Sequence, residues 1–247
     1  MADRSLHLAV LAGIVLAAAG QPAGPQPSVN ARAPVLVELF TSEGCYTCPA
    51  ADRLLEQVDS RVVVLSEHVD YWNDLGWSDP FSSYVWSGRQ NAYCVRFHLD
   101  SMYTPQMVID GAVQFTGNDA PRVAHELSLA VRRPKASVRL GRTDTGIQVK
   151  VEAAPTGANV FLVLADDSTE SNVRTGENRG LRLHHVAVGR RLRIIGRVEN
   201  GGFARELLLP AKARGQRAIV FLQDGYAGPV SGAAVLGPAV DEDRSSR

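Results

Sequence analysis

Residues 34–69 read PVLVELFTSEGCYTCPAADRLLEQVDSRVVVLSEHV, and the fold turns on this stretch. PVLVELF (34–40) is a continuous apolar run broken by one acid, the pattern of a buried strand. After two cysteines, Ala51, Leu54, Leu55 and Val58 recur at helical spacing, and Pro49 suits a helix's first turn, where a missing N–H costs nothing. RVVVLSEHV (61–69) is a second buried strand. Two such strands joined by a helix run parallel with a right-handed crossover.

That unit fixes where Cys45 and Cys48 lie. They sit at the carboxyl end of the first strand and at the start of the helix, where free N–H groups and positive potential stabilise a thiolate. A bridge over so short a loop removes little unfolded-state entropy. A chain of 247 residues builds its core without one. The spacing therefore favours redox chemistry over a staple, with an inert oxidised loop as the alternative. The third cysteine, Cys94, lies in an expected helix after Pro80 and reads as a buried core thiol.

Further along, Thr104-Pro105 precedes the strand QMVID, a turn at Gly111 and the strand AVQFTG. A helix over NDAPRVAHELSLAVRR follows, capped by Asn118 or Asp119 with Pro121 in its first turn. VELF…GCYTC resembles the first strand and active-site turn of thioredoxin-like proteins, and the element order is theirs. ELFTSEGCYTCPAAD, HVDYWNDLGW, YTPQMVIDG and GENRG together resemble the bacterial secreted thioredoxin-like family known as domain of unknown function 1223, over roughly residues 33–240.

The resemblance to thioredoxin-like proteins implies roles. Cys45 is the exposed nucleophile and Cys48 the resolving thiol, passing through a mixed disulfide. Glu38, near the family's buried acid but one residue further from the first cysteine, moves the resolving thiol's proton or faces solvent. Pro105 faces the disulfide and keeps metals off it, and the Thr104 backbone pairs with an extended substrate. His68 and Asp70 fall at the sheet edge that carries the cysteines. A histidine there acts as general base, thiolate partner or metal ligand, or is a structural ring paired with Asp70 or the backbone. Trp72 and Trp77 add apolar surface for substrate.

After Arg133-Pro134, short alternating or apolar runs separated by Gly, Asn and Pro turns read as an antiparallel β-sandwich. The polar loop RTGENRG (174–180) reads as a surface turn in preference to a docking loop, and His184 and His185 point to opposite faces of their strand and so do not make a two-His metal site. The expected fold is thus an α/β thioredoxin-like domain with a helical insert over 34–133, followed by an antiparallel β-sandwich domain over 136–240.

Residues 1–19 read as a signal peptide with cleavage near Ala19, residues 20–33 as a disordered leader and 241–247 as a disordered tail. This predicts a periplasmic or secreted protein with no stable membrane insertion after cleavage, in a compartment where disulfides persist. A formal net charge of zero and the lack of a basic cluster exclude an electrostatic case for nucleic acid. No nucleotide, hydrolase or zinc-protease motif occurs, and no cofactor or metal is expected. The leading reading is a thiol–disulfide oxidoreductase acting on protein disulfides with a redox partner protein. Its alternatives are a copper-handling protein using Cys45, Cys48 and His68, and a non-catalytic binding protein with a structural disulfide.

Overall fold

The structure, a computed structural model, describes residues 33–210, 213 and 215–238. The expected signal peptide, the leader apart from Ala33, and the tail lie outside the described residues.

The opening stretch folds as read. Strand β1 (Ala33–Thr41) and strand β2 (Val62–His68) pair in parallel, with Phe40 opposite Glu67 and Thr41 opposite His68. Helix α1 (Cys48–Val58) crosses between them and buries Cys48, Ala51, Asp52, Leu55 and Val58. Helix α2 (Tyr84–Arg96) starts at Ser83, whose hydroxyl accepts from the Val85 N–H. Strands β3 (Gln106–Ile109) and β4 (Val113–Thr116) form a hairpin beside β1. Helix α3 (Ala120–Ala130) follows, capped by Asp119. Side chains alternate across β1: Leu39 meets the α1 side near Ala51, and Phe40 meets Tyr93 of α2 edge-on.

The second half departs from the expected separate domain. Its elements are β5 (Ser137–Arg142), β6 (Gly146–Glu152), β7 (Asn159–Asn172), β8 (Arg182–Arg197), β9 (Phe203–Leu208), β10 (Gln216–Gln223) and β11 (Val230–Leu236). One mixed sheet of eight strands runs β11-β10-β7-β8-β2-β1-β3-β4, and the described residues fall in one compact unit. The reason lies in β2. It is buried along its whole length, so in a free-standing domain its outer edge would be an open apolar edge prone to mispairing. β8 takes that edge through the Ser66–Val188 bridge.

Sandwich packing survives as a layer. The small sheet β5-β6-β9 places Ile147, Val149 and Val151 in one core with Val160, Leu162, Val220 and Leu222 of the large sheet. Two stretches read as separate strands are one, β8, continuous through Gly189. A Cβ at Gly189 would lie 2.5 Å from the Trp86 ring, whose Nε1 donates to the Gly189 carbonyl. Trp86 thereby fastens α2 of the first half to β8 of the second. Strand β11 carried no alternation in the sequence and was not expected.

Candidate active site

Cys45 and Cys48 form a disulfide, with Cα atoms 5.4 Å apart. Cys48 is the first residue of α1, and the Thr47 side chain makes no capping hydrogen bond. The turn is closed by the backbone: Cys45 N–H donates to Ser42 O, and Cys48 N–H to Cys45 O. Where an exposed nucleophile was expected, both cysteines are buried, Cys45 at 1% exposure and Cys48 at 0%. Tyr46 between them is 71% exposed.

The cover comes from the loop 173–181 that joins β7 to β8. It contains the stretch 174–180, read as a surface turn in preference to a docking loop. Buried Asn178 donates from Nδ2 to the carbonyls of Glu43 (2.8 Å) and Cys45 (2.9 Å). Glu177 Oε2 accepts from the Tyr46 N–H at 3.2 Å, and Thr175 donates to the Gly76 carbonyl. Gly76 (φ +103) and Gly176 (φ +76) lie against each other, in backbone conformations that side chains rarely adopt. The loop is thus strapped across the cysteine turn.

Behind the turn lies a buried polar cluster. Glu43 Oε2 accepts from Trp77 Nε1 at 2.7 Å, and Oε1 accepts from the Ser171 hydroxyl and lies 3.2 Å from His185 Nε2. His185 Nδ1 is 3.6 Å from Asp52 Oδ2. His68 Nδ1 is 2.7 Å from Asp79 Oδ2, which also accepts the Glu43 N–H. The two imidazole rings meet edge to face, centroids 4.6 Å apart. Burial opposes charge on His185, but Asp52 and Glu43 prevail and push its pKa up to about 10. Burial likewise raises the Asp79 carboxyl, yet His68 and two backbone N–H groups hold it below its ordinary value. Asp52 Oδ1, His68 Nε2 and His185 Nδ1 have no hydrogen-bond partner among the described residues, so the Asp52 contact to His185 is an ion pair without a hydrogen bond.

The structure brings some expected residues together and separates others. His68 stands in the cluster, paired with Asp79 and not Asp70, which instead accepts from the Ser87 hydroxyl. Trp72 packs on Gly44 and donates from Nε1 to Thr104 Oγ1 at 2.8 Å, linking the cysteine turn to Thr104-Pro105. The Thr104–Pro105 peptide is cis, and Pro105 lies against Gly117 beside Leu39 and Ala51. Trp72 and Trp77, expected as substrate surface, spend their indole N–H groups bracing the site.

Glu38 is elsewhere. On the α2 side of β1, it accepts from Arg89 Nε (2.7 Å) and the Tyr93 hydroxyl (2.5 Å). Arg89 also approaches Glu67 at 3.2 Å, donates to Gln223 Oε1 and lies over the rings of Tyr93 and Phe221. Burial, then the Glu38 charge, raise the Glu67 carboxyl well above its ordinary value. Glu38 is thus fully engaged in a structural knot, and the expected proton transfer to Cys48 has no geometric support. Cys94 is buried and free, as expected.

Asp52, Glu43, Asn178 and Asp79 escaped the sequence reading, which placed His185 on one face of a strand and gave it no role. Asp52 carried one signal: an acid on the buried face of α1, one turn from Cys48. Among the described residues, no helix is long and apolar enough to cross a membrane, and no group of three His, Cys, Asp or Glu side chains is arranged to hold a metal ion.

A family model described as "Protein of unknown function (DUF1223)" matches residues 36–223. The crystal structure of protein AGR_C_4864 from Agrobacterium tumefaciens is similar, with 25% identity, a TM-score of 0.74, and coverage of 88% of this chain and 98% of that one. HBP35 of Porphyromonas gingivalis shares the fold at 14% identity and a TM-score of 0.55, over 88% of this chain and 80% of its own. No curated protein matches the sequence.

Proposed function

We propose a function for a chain that belongs to the DUF1223 family: it is an exported thiol–disulfide oxidoreductase, thioredoxin-like in its first half, that acts on protein disulfides through Cys45 and Cys48. The observation that carries this reading is a disulfide across the first turn of α1 that is backed by ionisable side chains rather than by apolar core. A staple needs no such surroundings. The order β2-β1-β3-β4, with helices on both faces, supports the thioredoxin-like part. The apolar run near the N-terminus supports export.

In the reduced protein, the Cys45 thiolate attacks one sulfur of a substrate disulfide. A Cys45–substrate disulfide forms and the first substrate thiolate leaves, taking a proton. Cys48, on losing its own proton, attacks Cys45 Sγ. The Cys45–Cys48 bond re-forms and the second substrate thiol leaves. Two electrons pass to the substrate, and a redox partner protein restores the dithiol. Thr104, linked to the turn through Trp72, offers its backbone to an extended substrate strand.

The test is to mix reduced Cys48→Ser and Cys45→Ser proteins with a disulfide-bonded protein such as insulin. Cys48→Ser should accumulate mixed disulfides on non-reducing gels and Cys45→Ser should not. Adducts from neither variant, with a wild-type potential below about −300 mV, would mark the bridge as structural.

A further inference from the structure

Exchange needs more than two sulfurs. Reduction replaces a neutral bond by thiols, one of which must ionise to react. Here that charge would form at cysteines that are almost wholly buried, where an uncompensated charge is costly. Glu43 and Asp52 make the difficulty worse, since each adds a negative charge beside the turn.

One side chain answers both. His185 reaches the site from the second half of the chain, on β8, and its ring is bracketed by the two arms of the cysteine turn. Nε2 faces Glu43, two residues before Cys45, and Nδ1 faces Asp52, one helical turn after Cys48. A buried imidazole between two carboxylates is held as a cation. The other groups against it are the His68–Asp79 pair and the neutral ring of Phe81.

We propose that His185 is the cation that holds the reduced Cys45–Cys48 pair in its reactive thiolate form, as a positioning residue behind the turn that never touches substrate. This rests on the reading that the pair exchanges disulfides. The raised pKa of His185, about 10, keeps the charge in place across the neutral range. His185→Gln leaves Glu43 and Asp52 unopposed and disfavours the thiolate.

The experiment uses the chemically reduced protein and follows iodoacetamide labelling of Cys45, resolved by peptide mass spectrometry, from pH 5 to 9.5. Wild type should show an inflection below about pH 7. His185→Gln should move it towards the ordinary thiol value of about 8.5 and slow labelling at pH 6 at least tenfold. His185→Lys, which restores a charge, should recover the low inflection. The equilibrium of His185→Gln with glutathione should shift at least tenfold towards the disulfide, about 30 mV for two electrons. If His185→Gln fails to fold, wild type still decides, because an inflection at or above the ordinary thiol value of about 8.5 would mean that no cation holds the thiolate. Superposed profiles for His185→Gln and wild type, or a wild-type inflection at or above about 8.5, overturn the proposal. Shifted profiles together with no trapped partner in Cys48→Ser would instead sink the oxidoreductase reading and leave the charge assignment standing.

Discussion

Asn178→Ala is the substitution that best separates a strapped disulfide from a merely buried one. The amide donates two hydrogen bonds, to the Glu43 and Cys45 carbonyls, and its residue is only 2% exposed. The Cys45 carbonyl keeps a second donor, the Cys48 N–H, so its loss falls at the low end for a buried hydrogen bond. The Glu43 carbonyl loses more. Together they amount to about 2 kcal/mol, taking roughly 1 kcal/mol or slightly more for each bond. If dithiothreitol reaches the sulfurs when the strap lifts, the lifted fraction should rise about thirtyfold, since every 1.4 kcal/mol is a factor of ten. The assay is the pseudo-first-order rate of Cys45–Cys48 reduction in native buffer, with global stability measured separately in urea. A rate within twofold of wild type, alongside a urea loss of about 2 kcal/mol, would refute the strap: the sulfurs would then be reached by another route, or only on global unfolding.

Two further outcomes follow from the buried charges. His185 has a folded pKa of about 10, above the ordinary imidazole value of about 6.5. It therefore contributes stability that is complete below that lower value and is lost as pH rises towards 10. Asp79, held low, contributes stability above about pH 3.8 that is lost on acidification. Urea midpoints should thus be higher at pH 6 than at pH 10, and His185→Gln should shrink the difference; a flat wild-type profile contradicts the assignment. Arg89→Met leaves Glu38 without its ion-pair partner in the core, at an expected cost of about 3–5 kcal/mol. It should not move the Cys45 labelling inflection, and a shift of that inflection would return Glu38 to the redox chemistry.

Much of the frame was legible because it is local. The β1–α1–β2 unit, the cap at Asp119, the hairpin around Gly111 and the burial of Cys94 all follow from spacing within a few residues. The joining of the halves was not legible. Nothing within β8 announces that it will pair with β2, some 120 residues earlier, because a strand edge has no sequence signature of its own. The site was half legible for the same reason. Cys45, Cys48 and His68 lie on the first unit, while Asn178, Ser171 and His185 reach it from the β7–β8 hairpin. Glu38 misled because a single acid in an apolar strand looks alike whether it moves protons or binds Arg89.

The placement of that hairpin ties cover and charge to one element. Ser171 is the penultimate residue of β7, Glu177 and Asn178 lie in the strap, and His185 is the fourth residue of β8, so a stretch of fifteen residues supplies the cover over the disulfide and the proposed cation behind it. The two duties are separable. Lifting the strap releases the Cys45 carbonyl, but His185 is anchored separately, by its β8 pairing opposite Thr169 and by Glu43 and Asp52. An opened site would therefore keep its charge. On the proposed function, a cysteine turn exposed in this way would meet its substrate with the thiolate already stabilised, and the closed site would keep the same sulfurs from unselected thiols. A fragment confined to residues 34–133 would hold the cysteines and neither control, which is why the second half belongs to the site and not to a separate accessory domain.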